Sequence, residues 1–290
     1  MKPKLWKNYT PAALLARMEQ LAVDKPVELA FGIAVVVAVI VIGASWQYWT
    51  TDFREFLKNV AVEAHGMVFD LIVIGWLILW LNKRAERRMD IRRYKEEIDD
   101  YRNWKQEEAS HRIAGIIKRL NKNGVTQINL SKCFLKGADL IGANLSNANL
   151  CLANLSKANL RKANLLSADL LSADLSDAVL YRADLRNANL SDAVLYRADL
   201  RNANLSNADL RGAILLATDL RKVIGLRKEQ LEGGDKPFLY LVNLPEGMGV
   251  DPNRDCDRLP QELLAQYPKE FKTIEDAKDY IDRAREKKWD

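Results

Sequence analysis

Leucine recurs at every fifth position from Leu130 to Leu220, through nineteen consecutive units without an insertion or a deletion. The residue two places before each leucine is nearly always alanine, and the residue between them is usually Asn or Asp. A period of five fits neither the 3.6-residue turn of a helix nor the alternation of a flat strand. It is typical of a chain that turns a corner every five residues and stacks coil upon coil.

The two apolar positions of each unit are predicted to fill the axis of a narrow column, with alanine where only a small group fits. The Asn or Asp between them can hydrogen-bond the backbone at the corner. Neighbouring coils would pair through backbone hydrogen bonds at the strand spacing of about 4.8 Å. The predicted core includes Leu140, Leu145, Leu150, Leu160, Leu170, Leu180, Leu190, Leu200 and Leu210.

The pattern A(D/N)LXX, as in Ala143-Asn144-Leu145, resembles the pentapeptide-repeat family. The resemblance implies a right-handed parallel β-helix with four sides over residues 125–225, with four units in each coil and roughly five coils. Departures from the pattern are few. Ile128, Cys133 and Thr218 replace the alanine, and Phe134, Val179, Val194 and Ile214 replace the Asn or Asp.

The fifteen letters SDAVLYRADLRNANL occupy residues 176–190 and follow again at 191–205. An insertion of fifteen preserves the five-residue register, but on a four-sided column it rotates everything after it by one face. We interpret the repeat as selected for register and length more than for a patch on one face. A recent neutral duplication is the alternative.

Two apolar stretches near the N-terminus predict membrane helices. Residues 29–49 are uncharged, and 21 residues at 1.5 Å each are enough to span a hydrocarbon core. Residues 60–81 follow after a short loop and end in a tryptophan-rich segment typical of a membrane interface, although Glu63, His65 and Asp70 lie within them. The pair predicts a transmembrane hairpin within residues 27–82.

Basic residues are concentrated before the first predicted span and after the second, with few between them. The positive-inside rule therefore places both termini in the cytoplasm. We expect a multi-pass protein of the bacterial inner membrane. Three cysteines without a disulfide-like spacing, Cys133, Cys151 and Cys256, agree with a reducing compartment.

The predicted fold class is therefore a membrane-anchored α plus β protein. Helix-forming residues at 83–124 predict a helical stalk, whose alternative is a charged, solvated segment that caps the column only with its last turns. Residues 226–290 predict a small helical cap: Leu226 and Leu231 would cover the last coil, and Thr273 would begin an amphipathic helix. An N-terminal cytoplasmic or interfacial segment occupies residues 1–26.

Candidate chemistry is sparse. His65 and His111 are the only histidines and lie in different modules, so the sequence predicts neither a histidine-based triad nor a multi-histidine metal site. The segment DPNRDCD at 251–257 lacks the glycine and the final glutamate of a calcium loop. We expect no enzyme, no cofactor and no metal.

Charge points to one possible interaction face. On a four-sided stack, the following residues would share a face around Tyr181: Arg161, Lys162, Arg182, Arg201, Arg221 and Lys222. This basic face could contact nucleic acid or acidic lipid, or simply be solvated. The resemblance also brings in DNA mimicry, in which quinolone-resistance members present an acidic column to topoisomerase. With twelve basic and nine acidic residues at 128–222, this column argues against it.

Two functions remain open. The first is a non-catalytic scaffold anchored in the lipid bilayer, which presents the rigid column to a cytoplasmic protein partner. The alternative is an oligomeric pore or membrane-perturbing effector, in which Glu63 and Asp70 line one stripe of the second span. A shorter second span, with both acids near the outer interface, would remove the case for the pore.

Overall fold

The structure, a computed structural model, describes residues 53–266, 268 and 271–285, together with positions 32, 36, 39 and 40. The chain divides into two compact units, Met1–Arg92 and Arg93–Asp290. The predicted N-terminal segment 1–26 and most of the predicted first span lie outside the described residues, as does the end of the chain at 286–290.

A single helix, α1, runs from Phe53 to Tyr101 and contains the whole of the predicted second span. Large apolar side chains on its described part are exposed to solvent, namely Met67, Leu71, Ile72, Val73, Trp76, Leu79 and Trp80. Among the residues that the structure describes, no helix combines the length and the apolar character needed to cross a membrane. The hairpin therefore stays a prediction.

The segment predicted as one stalk is two helices. Helix α1 ends at Tyr101, and α2 spans Glu107–Lys122. The apolar face of α2 is fully buried at Ile113, Ile117 and Leu120. The side-chain amide of Asn121 accepts from the backbone N–H of Asn144 and donates to its carbonyl oxygen, at 2.8 Å in both cases. Helix α2 therefore caps the first coil of the column and protects its open end.

The column itself is built from parallel bridges between residues twenty apart, such as Asn129 with Asn149 and Asp199 with Asp219. Four units therefore complete one coil. Nearly every corner is a β-turn, as where the N–H of Ala163 donates to the carbonyl of Leu160 at 3.0 Å. The residue before the alanine has a positive φ, which is +57° at Lys162. The five-residue period follows from this turn, repeated at every corner.

All nine predicted core leucines lie inside the column, each no more than 2% exposed. The Asn and Asp residues act at the corners as expected, since their Oδ1 atoms accept from the N–H two residues later. Asn154 does so with Ser156 at 3.1 Å. On some faces the side chains also bond between coils, as where Asn189 donates to Asp169 at 2.9 Å. Interior packing and corner bonds together stabilise the coil.

The pentapeptide run ends at Gly225, where a side chain would overlap Ser206. The short helix α3, Glu229–Glu232, places Leu231 fully buried over the last coil, and Gln230 donates to the carbonyls of Leu205 and Ala208. Leu226 is only partly buried. Leu231 therefore covers the end of the last coil, as predicted.

Backbone pairing continues beyond the repeats. Strand β1, Ile214–Leu216, pairs in parallel with β2, Phe238–Tyr240, and Asp219 bridges to Asn243. The column therefore extends to Asn243, past the predicted boundary at 225, by a partial coil that lacks the pentapeptide pattern. The spacing to the partner grows from twenty residues to twenty-four, because α3 is inserted.

The polar segment 251–257 closes the outer edge of β2. The buried carboxylate of Asp255 accepts from the N–H of Leu239 at 3.0 Å, and Asn253 Oδ1 accepts from the N–H of Leu241 at 2.9 Å. An unprotected edge strand would pair with other chains. Asp255 and Asn253 therefore have a structural role in ending the sheet at β2.

Two further helices follow this segment: α4 spans Leu259–Gln266, and α5 spans Ile274–Arg285. Thr273 is confirmed as the N-cap of α5, because its Oγ1 accepts from the N–H of Asp276 at 3.1 Å. The carboxylate of Asp276 accepts in return from the N–H of Thr273, which completes a capping box. These hydrogen bonds lower the pKa of Asp276.

Candidate functional site

The six residues of the predicted basic face lie along one side of the column. Backbone hydrogen bonds join successive coils there, from Lys162 N to Tyr181 O at 3.0 Å and from Arg182 N to Arg201 O at 3.2 Å. The same side carries the bridges from Asn159 to Val179 and from Val179 to Asp199. The predicted cluster is therefore one continuous surface.

Carboxylates neutralise part of this face. Arg201 lies 2.9 Å from the carboxylate of Asp199, and Arg221 lies 2.8 Å from that of Asp219. Both acids are buried at the corner, where each also accepts the backbone N–H of its arginine. The six cations therefore do not form a uniform positive patch: Arg161, Lys162 and Arg182 form one positive group around Tyr181, and Lys222 lies two coils beyond Arg182.

An aromatic ring lies at the centre of that concentration. The guanidinium of Arg161 lies 5.4 Å from the centre of the Tyr181 ring, and the guanidinium of Arg182 lies 5.2 Å from it. Tyr181 remains partly exposed, and Arg182 is exposed. We call this group, with Lys162 and Val179, the Tyr181 surface. It offers a ring and three cations to an incoming ligand.

The neighbouring face carries the second copy of the duplicated sequence, and there the tyrosine is covered. Tyr196 is 7% exposed, and its ring centre lies 4.5 Å from that of Tyr280 on α5. Phe271 packs edge-on against Tyr280 at 5.2 Å. The C-terminal helices dock here on a cluster that includes Val194, Ile214, Leu216, Leu259, Leu263, Ala277 and Ile281.

A cavity of about 280 Å³ lies between this docked face and the C-terminal helices. Phe271 and Tyr280 form its aromatic side, and the stacked residues Ser156 and Ser176 line the column side. Lys157 also lines it. With Asp174 and Asp177 also in its lining, the cavity combines hydroxyl and charged groups with an apolar wall.

The predicted membrane acids are described only in part. Asp70 is exposed on α1, next to the exposed apolar residues Leu71, Ile72 and Val73. The backbone of Glu63 belongs to α1, but the structure does not describe its side chain. The structure therefore places one carboxylate in the apolar stretch and leaves the predicted stripe untested.

Two groups that could take part in chemistry, a cysteine and a histidine, have well-defined surroundings in the structure. Burial raises the pKa of the Cys133 thiol to about 11, so this cysteine is protonated at neutral pH. His111 is exposed, and its Nδ1 lies 2.7 Å from the carbonyl of Glu107. No group of three or more His, Cys, Asp or Glu residues that could hold a metal ion occurs within the described part of the chain.

The docking role of Tyr196 was missed from the sequence, although a signal for it exists. Val194 and Ile214 replace the usual Asn or Asp at successive coils of one face. Tyr196 and Leu216 follow two residues later on the same face. Apolar residues that replace the Asn or Asp of the repeat at positions twenty residues apart therefore predict a covered face. A single such replacement does not.

A column of four-unit coils with inward Leu and Ala defines a parallel β-helix built from pentapeptides. The family model for pentapeptide repeats matches residues 125–156, 153–192 and 188–224, with 8 copies. The chain belongs to the pentapeptide repeat family. Proteins of this family are, as a class, non-catalytic scaffolds for protein interaction. No curated protein matches the chain.

Three solved structures illustrate the similarity. A pentapeptide repeat protein of the Arabidopsis thaliana thylakoid lumen is 32% identical, over 37% of this chain and 74% of its own, with a TM-score of 0.30. HetL of Nostoc sp. strain PCC 7120, involved in heterocyst differentiation regulation, is 37% identical over 42% and 55%, with a TM-score of 0.23. Another pentapeptide repeat protein from Nostoc PCC 7120 is 30% identical over 45% and 93%, with a TM-score of 0.22.

Proposed function

We propose that this protein is a non-catalytic scaffold that is anchored in a bacterial inner membrane and holds a protein partner on the side of its column. One observation carries the scaffold role: α2 closes one end of the column, and α3 with β2 closes the other. A partner therefore binds a side of the column, where charged and aromatic groups point outward.

The membrane anchor rests on the apolar stretches of the sequence and on the exposed apolar side chains of α1. Trp76 and Leu79 are 66% and 70% exposed, on a helix that continues from the described apolar turns into a strongly basic segment. Exposed apolar patches of this kind mark membrane or protein contacts. The basic residues that follow suit the anionic lipid heads of a cytoplasmic leaflet.

Cell fractionation tests the anchor directly. An anchored chain stays in the membrane pellet after washing with high salt and with alkaline carbonate, and only detergent releases it. Release by salt alone would mean a peripheral, electrostatic attachment, and recovery in the soluble fraction without washing would contradict the anchor altogether.

The pore is the second candidate, and the exposed Asp70 within an apolar stretch favours it. A carboxylate inside a bilayer is unfavourable and usually faces water or a partner. Asp70→Leu would then change the assembly or the ion leakage of vesicles that contain the protein. Unchanged assembly and leakage would exclude this role for Asp70 and leave the scaffold as the sole candidate.

A further inference from the structure

The two copies of the duplicated sequence place the same four residues, Val-Leu-Tyr-Arg, on adjacent faces of the column. Their local structure is the same: φ is +59° at Arg182 and +53° at Arg197. Each arginine also lies over its own tyrosine ring, at 5.2 Å for Arg182 and 5.6 Å for Arg197. The column therefore presents one structural element twice.

Only one of these elements is covered. The chain's own helix α5 lies over Tyr196 and presents Tyr280 to it, ring against ring at 4.5 Å. Tyr181 has no such cover and stays partly exposed. The covered copy therefore shows what this element binds, namely an aromatic side chain on an amphipathic helix.

The surroundings of the two tyrosines differ in one respect. Above Val194 and Tyr196, the next coil supplies the buried apolar residues Ile214 and Leu216. At the equivalent positions above Val179 and Tyr181, the next coil supplies the ion-paired Asp199 and Arg201, and the coil below supplies Arg161 and Lys162. Within the described residues, no carboxylate forms an ion pair with Arg161, Lys162 or Arg182. The open copy thus keeps the aromatic element and exchanges apolar neighbours for cations.

We infer that the Tyr181 surface binds an acidic amphipathic helix of another protein, with an aromatic side chain of that helix packed against Tyr181 between Arg161 and Arg182. The inference rests on the proposed scaffold function and gives the partner its chemistry. The ring provides a stacking surface, and the three cations attract carboxylates on either side of it.

A second copy of this chain does not fit the surface. The face of α5 that carries Ala277 and Ile281 is already buried on its own column. Two Tyr181 surfaces brought together would place cations against cations, which is unfavourable. A separate, acidic partner satisfies both the ring and the charges.

A labelled peptide probe tests the inference on the full chain in detergent. The probe has the sequence of residues 271–285 with its Lys and Arg residues changed to Glu, so that it keeps the aromatic face and gains negative charge. We expect saturable binding that Tyr181→Ala weakens by about tenfold or more, equal to about 1.4 kcal/mol. Tyr181→Phe retains the ring and should retain the binding.

Three controls separate the site from general attraction. Arg161→Gln with Arg182→Gln should weaken binding without touching the tyrosine, which covers the case that Tyr181→Ala unfolds the column. Arg186→Gln, on another face and paired with Asp184, should have no effect. A probe with alanine in place of its tyrosine and phenylalanine should bind more weakly than the intact probe.

The contrary results are distinct. Absence of saturable binding would overturn the inference, and so would binding that responds to the arginine variants but not to Tyr181→Ala. If, in addition, the chain binds vesicles of anionic lipid and Tyr181→Ala does not weaken that binding, the surface is a lipid contact. The scaffold function itself fails only if no protein co-purifies with the chain, which is measured separately.

Discussion

At the scale of the residue, each five-residue unit solves the same local problem. Leucine and alanine fill the axis, and the next residues form a turn that requires one left-handed conformation. That conformation disfavours residues other than glycine, by roughly 1–2 kcal/mol each. Most corners nevertheless carry Lys, Arg, Ser, Asn or Asp, so interior packing and coil-to-coil hydrogen bonds outweigh the local strain.

The interior leucines should be individually important. Leu180→Ala removes a fully buried side chain from a column too narrow to collapse around the gap, so we expect the free energy of unfolding to fall by about 2–5 kcal/mol. Chemical denaturation of the full chain measures this. Ile141→Ala is the matched control, because Ile141 is 51% exposed and should change stability by less than about 0.5 kcal/mol. Equal effects would contradict the inward packing.

The corner strain can be tested at Leu152, whose φ is +59° and whose side chain is 51% exposed. Leu152→Gly should leave thermal stability unchanged or raise it, whereas Leu152→Val should lower stability by about 1 kcal/mol or more. Leu171 lies in the next coil and has no positive φ, so Leu171→Gly should instead lower thermal stability. The same sign at both positions would refute the account of the corner.

At the scale of the element, the ends and edges of the column decide what the rest of the chain does. Helix α2 covers the first coil, and α3 with Leu231 covers the last. The loop at 251–257 then blocks the outer edge of β2. Each device prevents an exposed coil or strand from pairing with another chain.

Asp255 is the central residue of the edge protection. Asp255→Ala leaves the N–H of Leu239 without its acceptor, and we expect a loss of about 1–3 kcal/mol together with self-association. Denaturation and gel filtration in detergent measure the two effects. The exposed neighbour Asp257 serves as the control, and Asp257→Ala should change neither. Stability and mass unaffected by Asp255→Ala would contradict the role of the loop.

Arginine partners lower the pKa of Asp184 and of Asp209 through their side-chain hydrogen bonds. Because the folded pKa lies below the unfolded value of about 3.9, these pairs stabilise the fold fully above that value, and the contribution is lost as pH falls through the folded pKa. Denaturant midpoints between neutral pH and strong acid should therefore fall more steeply for the natural chain than for Asp184→Asn with Asp209→Asn. Parallel curves would contradict the prediction.

The regular part of this architecture is readable from the sequence, because the period itself specifies the coil. Leucine spacing predicts the core, and Thr273 predicts a helix start. The partial coil that ends at Asn243 could not be predicted, since its pairing depends on β1 already lying at the end of the column. The break between α1 and α2 could not be predicted either, because the segment contains no Gly or Pro. The break is held by a contact with a residue distant in sequence, since Arg102 donates to the hydroxyl of Ser131 at 2.8 Å.

At the scale of the whole molecule, the duplication changes which surfaces the column presents. The second copy supplies Tyr196, which holds the C-terminal helices, and the first copy leaves Tyr181 open. The departures from the repeat at Val194 and Ile214 mark the covered face. The duplication, which the sequence analysis related to register and length, therefore also gives the two tyrosines different surroundings on adjacent faces.

Deleting residues 191–205 tests this reading. The remaining tyrosine then takes the place of Tyr196 relative to Ile214, so the C-terminal helices should stay docked in a shorter, folded column. Near-ultraviolet circular dichroism and denaturation should confirm a native fold, while the acidic probe no longer binds. Deletion of residues 191–203 breaks the five-residue register and should unfold the column. Equal stability of the two deletions would contradict the stacked-coil account.

The most direct test of the scaffold is the mass and composition of the particle that mild detergent extracts from native membranes. The account predicts a small particle that holds one or two copies of this chain together with a different protein, and Tyr181→Ala should remove that protein. A large ring of identical copies, or a chain that carries no other protein, would contradict the scaffold.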